Sequence, residues 1–101
     1  MTTEEYGTKE LERDFGPLTF GNALESHRKC EELPQRKFAN LLGISPQSLC
    51  DIEKGRKSPS VTRTARIANQ INEPEKTWIR LALQDMLRKG DLPYSVSLKE
   101  S

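Results

Sequence analysis

QRKFANLLGISPQSLCDIEKGRKSP, residues 35–59, holds two short helical patterns joined through a glycine, and the rest of the chain is read outward from it. Proline is tolerated in a first helical turn, so Pro34 or Gln35 opens the earlier helix, which carries Phe38, Ala39, Leu41 and Leu42 toward a core. Gly43 ends it, because glycine reaches the left-handed conformation without a Cβ clash. Ile44 is the apolar residue of the turn. Ser45 is a strong N-cap with Pro46 behind it, and the next helix runs to about Lys54 before Gly55 stops it. Two short helices joined by so brief a turn meet at a steep angle, which is helix-turn-helix geometry.

Upstream, Thr19 caps a helix over residues 20–31, and Phe20, Ala23, Leu24 and His27 fall on one stripe at helical spacing. A lone histidine in such a stripe reads as a packed side chain, and no Ser, Cys or carboxylate spacing around it makes a triad. Downstream, Ser60 caps a helix through about Asn72, with Val61, Ala65, Ile67, Ala68 and Ile71 inward. Pro74 opens a last helix that ends near Gly90. Its Trp78, Ile79, Leu81, Ala82, Leu83, Met86 and Leu87 cover more than the roughly 100° stripe that packing within one domain uses. Part of that helix therefore faces another chain, unless the N-terminal segment covers it. Beyond Gly90, Tyr94, Val96 and Leu98 alternate with Ser95, Ser97 and Lys99, the period of a half-buried strand. Pairing with a dimer mate, addition to another protein's sheet and a frayed tail all fit that stretch.

Charge divides the chain into three parts. Residues 1–26 hold two basic against six acidic side chains, a net of −4; residues 27–66 hold nine against four, a net of +5; residues 67–101 balance, five against five. A polyanion would dock at the centre, not at the ends. At 101 residues the chain makes one domain, divided as an acidic extension over 1–17, a DNA-binding unit over 18–72 with its motif at 34–55, and a helix and strand over 73–101 for dimerisation or partner binding. Cys30 and Cys50 lack CxxC spacing and neighbouring histidines, so no metal or other cofactor is expected and both read as reduced, partly buried thiols. No apolar run approaches the roughly 18 to 20 residues of a membrane span. The N-terminus lacks the basic start and apolar stretch of a secretory signal, so the expected location is the cytoplasm. No Gly-rich phosphate loop, activated nucleophile or carboxylate pair suggests an enzyme.

Phe38, Ala39, Gly43, Ile44, Ser45, Leu49, Ile52, Glu53, Gly55 and Pro59 stand in the order and spacing of the Xre helix-turn-helix family, which this chain resembles over residues 18–72. The resemblance implies an all-α, five-helix Cro/C1 repressor-like domain, to which the alternating stretch after Gly90 adds a short strand where it finds a pairing partner. It also implies that an arginine of the first helix, Arg28, pairs with Glu53 before the glycine exit. Gln47 becomes the principal base reader, since its amide both donates and accepts at adenine, with Ser48 beside it on a base or phosphate. Asp51 either accepts from cytosine N4 or orients a neighbouring arginine. Gln35 takes a phosphate at a helix N-terminus and braces the reader, next to Arg36. Ser45, Lys54, Arg56 and Lys57 complete the DNA-binding set, and Pro46, where the family often has a polar residue, removes one base contact. Partner contacts fall to Trp78, Ile79, Leu83, Met86, Leu87, Tyr94, Val96 and Leu98. The expected partners are a double-stranded, pseudo-palindromic operator and a second copy of the chain. The short build resembles antitoxins of the HigA and HipB types, which implies an autoregulating repressor with a cognate toxin. A phage-type or general regulator without a toxin is the alternative.

Overall fold

Thr19, Ser45 and Ser60 each stand before a helix, and each hydroxyl accepts the backbone N–H three residues on, at 3.1, 3.0 and 3.1 Å. The computed structural model describes residues 18–99, so the acidic extension expected over 1–17 lies outside the described residues. Within them run α1 (Phe20–Cys30), α2 (Gln35–Leu42), α3 (Pro46–Glu53), α4 (Val61–Gln70) and α5 (Glu75–Lys89). Two of the helices, α2 and α5, follow Pro34 and Pro74, which hold the extended backbone of a cap but offer no side-chain acceptor. Gly43 closes α2 at φ 73°, as its lack of a Cβ allows. Glu32, Asn72 and Asp91 take the same left-handed region at φ 55°, 58° and 58° after α1, α4 and α5. A side chain there costs about 1–2 kcal/mol, offset after α1 by the bond from Leu33 N–H to the Arg28 carbonyl at 3.1 Å.

One core gathers the inner faces of all five helices. Phe20 and Leu24 come from α1, Phe38, Ala39 and Leu42 from α2, Leu49 and Ile52 from α3, Ile67 and Ala68 from α4, Ile71 from the turn and Trp78 from α5. The rings of Phe20 and Trp78 meet edge to face at 5.5 Å, and His27 lies half-buried with its ring 6.4 Å from both Phe38 and Trp78. The helix-turn-helix pair, α2 and α3, packs together while α1 crosses α3 and α5 packs along α4. Gly21 makes the first crossing close: a Cβ there would lie 2.7 Å from the Glu53 carbonyl oxygen and nearer still to that of Ile52. A second tie spans the molecule, since Asp85 of α5 accepts the free N–H of Phe20 at the start of α1, at 3.0 Å.

Five expectations need correction. Leu41 is 49% exposed, because Phe38, Ala39 and Leu42 already fill the inward arc of a helix only eight residues long. Val61 is 48% exposed: it stands on the first turn of α4, beside an open cleft, and fully buried Thr64 takes the inner place. Trp78 does not face outward to a partner but is buried in the core of its own chain. The C-terminal strand does not form among the described residues, which contain no strand. Gln84 meets that stretch instead, donating to the Tyr94 carbonyl at 2.8 Å and accepting from Val96 N–H at 2.9 Å. A single amide thus takes the place of a neighbouring strand, with Tyr94 exposed and Val96 and Leu98 half-buried. Cys30, expected to be partly buried, is instead exposed at the last position of α1, while Cys50 is half-buried, and both are free thiols. No helix among the described residues is long and apolar enough to cross a membrane.

Candidate nucleic-acid interface

Burial splits α3 lengthwise. Leu49, Ile52 and Glu53 face the core, while Gln47 and Lys54 are exposed and Ser48 and Asp51 half-exposed. Positions 47, 51 and 54 follow the four- and three-residue steps of one helical face, so the polar side chains share one outward surface. The Ser45 cap orients the first turn of that surface, and its hydroxyl also reaches the Ser48 hydroxyl at 3.0 Å.

The side chains of this face form a linked set. Gln47 Nε2 donates to Asp51 Oδ1 at 3.1 Å, and Arg56 Nε donates to the same oxygen at 3.1 Å. The Arg56 bond, supported by that from Gln47, holds the Asp51 carboxyl below the usual carboxylate range; in return it raises the Arg56 pKa. Arg56 Nη2 also approaches Cys50 Sγ at 3.5 Å. The backbone joins in, since the N–H groups of Arg56 and Lys57 reach the Asp51 carbonyl at 2.8 and 3.2 Å after the chain turns through Gly55 at φ 79°. Of the two sequence alternatives for Asp51, the free protein adopts the one in which it orients an arginine.

Behind this face lies a buried cluster. Arg28 Nε and Nη2 donate to the two Glu53 carboxylate oxygens at 2.8 and 3.2 Å, and Nη1 donates to the Leu33 carbonyl at 2.9 Å. Arg28 is 9% exposed and Glu53 3%. The Glu53 bond raises the arginine pKa against the opposing effect of burial, so the guanidinium stays charged. Gln35 joins the cluster, with Nε2 donating to Glu53 Oε1 at 2.9 Å. Its amide therefore braces α2 against the end of α3 and does not touch Gln47. The sequence held no signal for this third member, because residues 18 positions apart meet only through the fold. Gly21 was likewise missed, although its size sets how closely α1 approaches α3.

Arg36, Lys54, Arg56 and Lys57 are all exposed. Lys54 and Lys57 also border a cleft of about 550 Å³ between the start of α1, the segment after α3 and the last turns of α5, whose apolar lining includes Val61, Ala82 and Met86. Among the described residues no group of three or more His, Cys, Asp or Glu side chains gathers to hold a metal ion. The arrangement presents an uncharged amide and hydroxyl at the start of an exposed helix, with cations beside it and a rigid ion pair beneath.

A helix-turn-helix family profile, HTH_3, matches residues 27–78. The chain is also 42% identical over 52 residues to the "ImmF control region 10 kDa protein" of Bacillus phage phi105. That match covers 52% of this chain and 58% of the relative, so the chain spans less than two thirds of the length of that protein.

Proposed function

The chain belongs to the HTH_3 helix-turn-helix family, of the Xre and Cro/C1 type, and from that membership we propose that it is a sequence-specific DNA-binding transcriptional repressor. The observation that carries this reading is the exposed face of α3, where Gln47 and Ser48 stand at the helix start and Arg56 and Lys57 flank its end. Such a helix enters the major groove by its N-terminal part. Gln47 reads a base edge and Ser48 a base or phosphate. Arg36, Ser45, Lys54, Arg56 and Lys57 line the phosphates, with cations supplying affinity without sequence preference, and Gln35, its amide held by Glu53, offers them its backbone N–H at the start of α2. Two copies joined through α5 and the segment after it would present two such helices to a pseudo-palindromic operator. The work is done in the cytoplasm, with no cofactor and no catalytic step.

Two finer roles divide the proposal. As an antitoxin the chain would repress its own operon and hold a cognate toxin, a reading that rests on the resemblance to the HigA and HipB types. As a phage-type regulator it would act without a toxin, and the phage control-region relative favours this second role. Co-purification of the full chain with the product of the adjacent gene separates them: a stable complex supports the antitoxin, and its absence leaves the phage-type role.

DNA reading is tested by titrating the full chain on its own promoter and on scrambled duplex at two salt concentrations. Gln47→Ala should reduce the preference for promoter by about 1–3 kcal/mol, whereas Arg56→Ala should weaken binding to both duplexes and flatten the salt dependence. Equal losses on every sequence for Gln47→Ala would sink its role as reader.

A further inference from the structure

We propose that Asp51 is a positioning residue that fixes which end of the Gln47 amide faces the groove, and so decides which bases Gln47 accepts. This rests on the reading of Gln47 as the base-contacting residue. An ionised carboxylate only accepts hydrogen bonds, whereas a glutamine amide carries a donor end and an acceptor end. The Gln47 amide meets Asp51 Oδ1 at 3.1 Å, so its nitrogen turns toward Asp51 and Oε1 turns away. The reversed amide would set one acceptor against another. Asp51 is itself held: Oδ1 takes the Arg56 Nε–H at 3.1 Å, and its carbonyl takes the Arg56 and Lys57 N–H groups.

Base preference follows from that order. An outward Oε1 meets the exocyclic amino groups of adenine or cytosine, and repels guanine O6 and thymine O4. The second N–H of the Gln47 amide remains for adenine N7, which completes the two-point contact that glutamine makes with adenine. Preference for adenine over guanine opposite Gln47 is thus set by a side chain that need not touch the base. Asp51→Ala removes the acceptor outright, whereas an asparagine would keep its Oδ1 against the Arg56 N–H and so still face Gln47 with an oxygen; in Asp51→Ala the Gln47 amide is free to turn over.

The experiment selects a duplex from a random library with the full-length chain, then compares it with a copy in which the A·T pair opposite Gln47 is G·C. The unaltered chain should prefer A·T by about tenfold or more. Asp51→Ala should bring the two duplexes within about twofold, and Asp51→Glu, which keeps an acceptor, should restore part of the preference. The Gln47 side-chain amide resonances of the free, nitrogen-15-labelled chain should move in Asp51→Ala, while the backbone fingerprint stays in place and reports an intact fold. A full preference in Asp51→Ala, together with its loss in Gln47→Ala, overturns this inference alone. A preference that survives Gln47→Ala overturns the reading of Gln47, and the inference with it.

Discussion

Arg28 and Glu53 show how much one buried pair carries. A buried arginine is tolerated because each of its three nitrogens meets an acceptor, two on Glu53 and one on Leu33. Arg28→Ala leaves a carboxylate that is 3% exposed with only the Gln35 amide as partner. Loss of one member of a buried pair costs about 3–5 kcal/mol, a large share of the stability of a small domain, and urea unfolding should show it. A raised arginine pKa keeps the guanidinium charged throughout the neutral range, and the arginine's part of this contribution fades only as the pH rises through its folded-state value. The cost of Arg28→Ala should therefore be flat between about pH 6 and 9. Asp51 behaves in the opposite sense: its lowered pKa keeps the links to Arg56 and Gln47 complete above about pH 4, and they are lost as the pH falls through the depressed value. The Arg28–Glu53 pairing was legible from the resemblance. Gln35 joining it was not, since nothing in a linear sequence distinguishes an amide that reaches phosphate from one that reaches a buried carboxylate.

Helix ends were legible and helix faces less so. Ser45-Pro46, Gly43 and Ser60 act through a few neighbouring bonds, and a local sequence pattern reports local bonds well. Leu41 and Val61 illustrate the failure. Both are apolar and both lie near an inward stripe, yet eight- and ten-residue helices have room for few inward positions and the fold chose others. The opposite case is Gly21, which looks like a weak point within α1 but permits the closest approach of two helices. Gly21→Ala should raise helix propensity by about 1 kcal/mol and still destabilise the domain, because the new methyl meets carbonyl oxygens of α3 and not a flexible side chain. Overpacking of this kind costs about 1–3 kcal/mol. Thermal melting should therefore show a net loss, and a rise in Tm would mean that α1 shifts without strain.

At the scale of the molecule, α5 has two assignments. Trp78 and Asp85 tie it to α1, while Ile79, Leu83 and Leu87 are only half-buried and Met86 is 62% exposed. Among the described residues this apolar helix buries only Trp78 fully, and the rest of its apolar face is the surface offered to the proposed second copy. Met86→Glu, at an exposed position, should change the stability of the monomer by no more than about 0.5 kcal/mol and shift the proposed dimer toward monomer in sedimentation at micromolar concentration. Unchanged sedimentation would remove this face from the proposed dimer. Binding to a two-half-site operator should weaken in parallel with dimer loss, because each half-site is then held singly.

The sequence alone determined where the helices begin and end, that two of them form a helix-turn-helix, and where the basic charge gathers. Each of these depends on caps, breakers and composition acting over a few residues. Tertiary structure decided the rest: that Trp78 belongs to the core, that Gln84 holds the C-terminal stretch without a strand, that Gln35 completes the buried pair, and that Asp51 turns the Gln47 amide. Most of these contacts join residues distant along the chain, and even the four-residue step from Gln47 to Asp51 leaves the amide's direction open until Arg56 and the turn after α3 hold Asp51 in place. Hydrogen-bond direction and burial are properties of such assembled neighbours, and a linear pattern contains the groups without their geometry.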